Sequence, residues 1–362
     1  MEQSGFRVDG RCVPGGARGG HKYRQRSGRA QTGAWRPMLA LLVGWTLLSA
    51  PAAAQAPGQA LSGPIVVYNA GSLARPFKEL LDAFRAANPG VTPAQENSGS
   101  LEAARKLTEL HKIPDVLAVA DYNVIDDLLR PRYATWYANF ARNAMVLAYT
   151  DRSIDAATID STNWWKVLLK KGVRAGHSDP TLDPNGYRTL IVLQLAERYY
   201  REPGLAKRLD AAMPSKYQRP KEADLTALLQ AGELDYAWTY RSLAETSGLR
   251  YVSLPRAIDL SDPLLAKEYE VATVRIPGTS RAGGDSLLLR GEPIVYALTI
   301  PVGAPHPALA AAFVRYALSP EGRAIVQRNG FVVLASPIVI GTPPPDVVSM
   351  YNPSPSPSES RP

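Results

Sequence analysis

Residues 64–77, PIVVYNAGSLARPF, set a run of β-branched and aromatic residues directly against Ala70-Gly71-Ser72, after which the pattern turns helical. A strand that ends in a turn and feeds a helix opens a β-α-β unit, which points to a layered α/β architecture. Ser72 stands where a helix cap stands, so its hydroxyl and the following backbone N–H groups form a helix start that favours an anion. Pro76 is tolerated because N–H groups in a first helical turn have no intrahelical partner. A second Gly-Ser, within Asn97-Ser98-Gly99-Ser100, again precedes a helical pattern, LEAARKLTEL. Two such turns in one β-α-β-α unit suggest a paired oxyanion clamp.

The alternation continues along the chain. Strands are predicted at 65–68, 92–96 and 115–120, with helices at 73–87, 101–111 and 122–129. Asp121, like both Gly-Ser turns, falls at a strand end, where α/β sheets bind their ligands. A strand at 143–150 restarts the pattern. Helices at 164–170, 187–200, 222–230 and 241–247 follow, with strands at 173–177 and 234–240. The loop at 178–186 carries Pro180, Pro184 and Gly186, with Asp183 just ahead of a helix start. A strand at 293–301 and helices at 306–318 and 320–328 complete the pattern. The expected fold is α/β with two lobes, each a mainly parallel sheet flanked by helices and with the ligand in the cleft between them. Residues 56–143 plus 296–340 would form one lobe and 144–295 the other, hinged near 142–143 and 292–293.

Composition narrows the function. The chain holds 41 Lys/Arg and 33 Asp/Glu, but eight and two of these fall in residues 1–37, so the remainder carries 33 and 31 and is nearly neutral. The basic balance therefore belongs to the N-terminal stretch and gives no support for nucleic-acid binding. That stretch is followed by a short apolar run and small residues through Ala56, the layout of a secretory signal peptide with cleavage near Ala54 or Ala56. Residues 1–55 are read as a removed leader, the apolar run being shorter than the roughly 20 residues a spanning helix needs. The only cysteine, Cys12, lies in the leader, so the secreted part has neither disulfide nor thiol chemistry. Residues 341–362, rich in Pro and Ser, are expected to be a disordered tail.

Several segments in order, YNAGSLARPF (68–77), ENSGSLEAARK (96–106), PDVLAVADYNVIDDL (114–128), FARNAMVLAYT (140–150), DPNGYRTLIVLQLAERYY (183–200), GELDYAWTYRS (232–242) and GEPIVYALTIP (291–301), closely resemble the molybdate/tungstate-binding proteins of ABC importers, in the tungstate-binding branch. The resemblance spans about 64–335. It implies a type II periplasmic binding protein that captures the oxyanion in the periplasm and delivers it to a membrane permease and its ATPase. It implies ligand contacts from Ser72 and Ser100, from backbone near Gly71 and Gly99, from the N–H of Asn185 and from the phenol of Tyr240. It also implies two carboxylates on the metal of the oxyanion, Asp183 and, eighteen residues before Tyr240, Glu222, with Glu233 as a nearby competitor. Carboxylates repel an oxyanion at close range. Hexavalent Mo or W can expand its oxygen shell and bond a carboxylate, whereas sulfur or phosphorus does not readily do so, and such a site selects the larger centre.

Other readings stand beside this one. Ser72 would cap a helix without any ligand, Asp183 would form a turn, Glu222 would answer a helix dipole, and Tyr240 would fill core. Arg75, Arg105 and Arg188 are read as solvated or salt-bridged; Trp164-Trp165 and Tyr199-Tyr200 are read as core. His111, His177 and His306 have no metal-ligand spacing. The same fold could serve sulfate, phosphate or another oxyanion, or a receptor-like sensor. An enzyme, such as a secreted hydrolase using Asp183 and Glu222, is the remaining class, against which no nucleophile–base arrangement or phosphate-cradling loop appears. No catalytic residue, no cofactor, no membrane span in the mature chain and a monomeric state are expected.

Overall fold

The computed structural model describes residues 60–277 and 286–348. The leader and its cleavage site lie outside the described residues. Strand β1 (Ser62–Ala70) leads through the turn at Gly71–Leu73 into α1 (Ala74–Ala87), followed by β2 (Gly90–Ser98), α2 (Ser100–Thr108), β3 (Val116–Val119), α3 (Asn123–Leu128) and β4 (Trp136–Arg142). Then come β5 (Met145–Tyr149), α4 (Trp164–Leu168), β6 (Ala175–Gly176), α5 (Pro184–Tyr200), α6 (Leu205–Ala211), α7 (Glu222–Ala231), β7 (Tyr236–Tyr240), α8 (Arg241–Thr246) and β8 (Arg250–Ser253). The remainder is α9 (Ala266–Tyr269), β9 (Thr273–Pro277), β10 (Ser286–Arg290), β11 (Val295–Thr299), α10 (Pro307–Leu318), α11 (Pro320–Arg328), β12 (Val332–Gly341) and α12 (Pro345–Val348). No described helix is long and apolar enough to cross a membrane.

Two sheets organise these elements, a six-stranded one ordered β12-β4-β11-β3-β1-β2 and a four-stranded one ordered β6-β7-β5-β8. Strands β9 and β10 pair separately as an antiparallel ribbon. The chain leaves the first sheet at the end of β4, enters the second at β5 across Asn143-Ala144, and returns to the first at β11.

The expected α/β class holds, but the sheets are mixed rather than mainly parallel. Strand β1 runs parallel to β2 and β3, and β6 to β7, while β11 pairs antiparallel with β3 and β4, β12 with β4, and β5 with β7 and β8. The reason is topological: strands that carry the chain out of a sheet and back need no crossover helix, and they pair antiparallel.

The core of the first sheet packs α1 and α10 through a cluster of rings. Phe313 is fully buried with its ring 5.5 Å from Phe84 and 6.3 Å from Phe77. Losing a ring of this kind costs about 3–5 kcal/mol. In the second, Trp164 meets Trp238 edge-on at 5.3 Å and donates from Nε1 to the Tyr200 hydroxyl at 3.0 Å. Of the aromatic pairs read as core, Tyr199 is the exception, about half exposed.

Helix α5 begins at Pro184, three residues before its predicted start. Asp183 caps it by accepting from the Asn185 N–H at 2.8 Å, and Pro184 takes the first-turn position, where a missing N–H costs nothing. The tail also departs from expectation. Residues 345–348 form a helical turn, and Val347 is fully buried, so order extends beyond 341. Residues 349–362 lie outside the described residues.

Candidate functional site

The site is built where strand ends of the first sheet meet helix starts of the second. At the end of β1, Ser72 is buried and its Oγ lies 2.9 Å from the Tyr296 hydroxyl. Gly71 faces the start of α7: a Cβ there would stand 3.3 Å from Glu222 Oε2 and 3.5 Å from Oε1. At the end of β2, Gly99 lies against the segment that precedes α5. A Cβ at this position would come within 2.8 Å of the Leu182 carbonyl carbon and 3.1 Å of Asp183 Cβ, so only glycine fits. The N–H of Glu102 in α2 donates to the Leu182 carbonyl at 3.2 Å, a backbone bond between the two halves of the site.

Asp183 and Glu222 are both about 1% exposed, and their carboxyl groups adjoin. Asp183 Oδ1 accepts from the Asn185 N–H at 2.8 Å and from Ser178 Oγ at 3.0 Å. Burial, reinforced by the neighbouring Glu222 carboxylate, pushes the Asp183 carboxyl well above the ordinary carboxylate range. Among the described residues, Glu222 Oε1 is buried without a hydrogen-bond partner. An unpartnered carboxylate oxygen costs free energy in a protein interior, and a proton on Asp183 shared with Glu222 offsets part of that cost. Glu233, the competing carboxylate, is exposed beyond the opposite end of α7 and lies outside this constellation.

Tyr240, at the end of β7, is fully buried, and its hydroxyl accepts from Arg188 Nη1 at 2.9 Å. Burial, opposed by the Arg188 guanidinium but joined by Tyr296, Asp183 and Glu222, holds its phenol well above the ordinary range, so the ring carries its proton. Ser100 Oγ accepts from the Ala120 N–H at 3.0 Å. The structure thus gathers Gly71, Ser72, Gly99, Ser100, Asp183, Asn185, Glu222 and Tyr240 around one locus. Asn185 differs from expectation in one respect: its backbone N–H is spent on capping α5 through Asp183.

Sequence reasoning missed part of the surroundings. Tyr296, Asn143 and Ser178 support the site: Asn143 Nδ2 donates to Ser242 Oγ at 2.7 Å and lies 3.4 Å from the Tyr296 hydroxyl. Arg188 is salt-bridged as read, its Nη2 standing 3.1 Å from Asp121 Oδ2 with both side chains under 10% exposed. Tyr187 donates to the same carboxylate oxygen. The strand-end position of Asp121 was a signal for this pair, whereas nothing local marks Arg188. Arg75 pairs with Glu79 on its own helix, and Arg105 pairs with Glu109 just past the end of α2. Among the described residues there is no group of three or more His, Cys, Asp or Glu side chains that could hold a metal ion. His177 and His306 are engaged with Ser178 and Asp115.

Comparison with known proteins gives the family and the fold. The profile of the family described as bacterial extracellular solute-binding protein matches residues 65–332. An uncharacterized solute-binding protein of Petrotoga mobilis is 46% identical over 270 residues, covering 75% of this chain and 84% of that protein. The molybdate/tungstate-binding protein WtpA of Pyrococcus abyssi is 33% identical over 310 residues, 78% of this chain and 88% of that protein. Among solved structures, the sulfate-binding protein SubI of Mycobacterium tuberculosis H37Rv matches with a TM-score of 0.55 at 13% identity, covering 82% and 92% of the two chains. The periplasmic molybdate-binding protein of Azotobacter vinelandii matches with a TM-score of 0.52 at 16% identity, covering 75% and 99%. At those identities the shared property is the fold. The chain is a member of the bacterial extracellular solute-binding protein family.

Proposed function

We propose that this chain captures molybdate or tungstate outside the cytoplasm and hands it to the permease and ATPase of an ABC importer. The observation that carries the reading is the buried Asp183–Glu222 pair, with Glu222 Oε1 unpartnered among the described residues and the Gly71-Ser72 and Gly99-Ser100 turns closing around it. Two adjoining buried carboxyls are unfavourable unless a proton or a positive centre comes between them. The electron-poor hexavalent metal of the cargo supplies that centre, while Ser72, Ser100 and Tyr240 supply hydroxyls for its oxygens. The relative named for molybdate and tungstate supports the assignment of the cargo.

On this reading the two sheets mark the lobes, 56–143 with 296–340 and 144–295, and the cargo sits between them. Glu222, rather than Glu233, is the second carboxylate. The protein works as a monomeric binding module without catalysis or cofactor, exported by the leader at 1–55. Calorimetry with tungstate, molybdate, sulfate and phosphate tests it. Tight binding of the first two with weak binding of the others is expected; sulfate affinity equal to that of tungstate would rule out carboxylate selection.

A further inference from the structure

We propose that Arg188 is a positioning residue of the oxyanion site, holding one hydroxyl from each lobe, Ser100 and Tyr240, with its hydrogen directed to the bound anion. The inference rests on the oxyanion reading above and adds to it a residue that does not itself touch the anion.

Arg188 lies on α5, five residues past the Asp183 cap, and is 3% exposed. Its Nη1 donates both to the Ala120 carbonyl at 2.7 Å and to the Tyr240 hydroxyl at 2.9 Å. Its Nη2 pairs with Asp121 Oδ2 at 3.1 Å. A guanidinium has donors only, so the Tyr240 oxygen must accept, and the phenolic hydrogen is left to find an acceptor elsewhere. The same logic passes through the Ala120 peptide. Its carbonyl is held by Arg188 and its N–H donates to Ser100 Oγ at 3.0 Å, so the serine oxygen is also an acceptor with its hydrogen uncommitted. Among the described residues neither hydroxyl has a second hydrogen-bond partner. Ser72 is the contrast, because its hydroxyl and that of Tyr296 can satisfy each other.

The arrangement also spans the two sheets. Asp121 and Ala120 follow β3 of the first sheet, whereas Arg188, Tyr187 and Tyr240 belong to α5 and β7 beside the second. Arg188 thus links residues that follow a strand of the first sheet to a residue of the second.

The test is a double-mutant cycle read by calorimetry and stopped-flow tungstate binding on the purified protein. Arg188→Gln should weaken tungstate about 10- to 100-fold. The loss should fall on the dissociation rate, with association within about threefold of the parent, because the contacts form after encounter. In a Tyr240→Phe background the same change should cost clearly less than in the parent, since its target hydroxyl is gone. Equal fold losses in both backgrounds, or an unchanged affinity, would overturn the positioning role. Should Arg188→Gln fail to fold because Asp121 is left unpaired, the neutral pair Arg188→Gln with Asp121→Asn carries the same expectations. A parent protein that binds neither tungstate nor molybdate overturns the oxyanion reading and this inference with it. A binding parent with additive variants overturns the inference alone.

Discussion

The two sides of the site solve different problems. On the first sheet, Gly71-Ser72 and Gly99-Ser100 present small residues and neutral hydroxyls at strand ends, a geometry that accepts almost any oxyanion. On the second, Asp183 and Glu222 present two buried carboxyls that an ordinary oxyanion would avoid. On the function proposed above, binding capacity belongs mainly to one side and discrimination to the other. Removing a first-side group should weaken all anions alike, and removing a second-side group should change their ranking.

The sharpest way to break this contrast is Asp183→Ala. It should weaken tungstate by at least about 100-fold while leaving sulfate within a few-fold, because a buried charged partner is lost only for the ligand whose metal bonds it. Calorimetry that finds equal losses for both anions would place Asp183 outside the metal shell. Next in size is Gly99→Ala, whose added Cβ meets the Leu182 backbone; overpacking against backbone costs about 1–3 kcal/mol, or roughly 5- to 150-fold in affinity for every anion. Gly71→Ala meets only a side-chain carboxylate and should cost less. Ser72→Ala and Ser100→Ala should each lose about tenfold, equally for tungstate and sulfate, the worth of about one hydrogen bond to a charged group.

The smallest effect lies behind the site. Burial lowers the His177 pKa below its usual 6.5, and its ring is held neutral between the Ser178 carbonyl and Gln218. The folded pKa is depressed, so the stability tied to the neutral ring is complete above about 6.5 and is lost as pH falls through the folded value. Thermal melting should decline by a few degrees between about pH 7 and pH 5, and His177→Gln should flatten that slope. An unchanged slope in the variant would assign the acid sensitivity to other groups.

How far the sequence revealed these features follows the range of the interactions. The Gly-Ser turns were legible as strand-to-helix junctions, which are local chemistry, but Ser72 is not the cap expected of it: it lies inside the turn Gly71–Leu73, and α1 is capped at Leu73 without a side-chain hydrogen bond. Asp183 could be located for the same reason, since it caps the helix it precedes. Strand β4 was not, because only Asn143 and Ala144 separate it from β5 and no Gly or Pro interrupts FARNAMVLAYT. Strand β12 escaped notice because its pairing with β4 shifts register between Val333 and Ile338, and its alternation is broken there. Tyr296 stands 224 residues from Ser72, and Arg188 stands 52 from Tyr240; contacts of that range leave no periodic trace. The mixed strand directions likewise depend on where the chain changes sheets, which composition and alternation do not encode.

The central claim, that the carboxylates bond the metal of the cargo, is tested most directly by X-ray absorption at the metal edge of the tungstate- or molybdate-loaded protein. The account predicts an expanded shell in which carboxylate oxygens from Asp183 and Glu222 join the oxo oxygens, reverting toward the tetrahedral anion in Asp183→Ala. A loaded parent protein showing the unexpanded tetrahedral shell would contradict it.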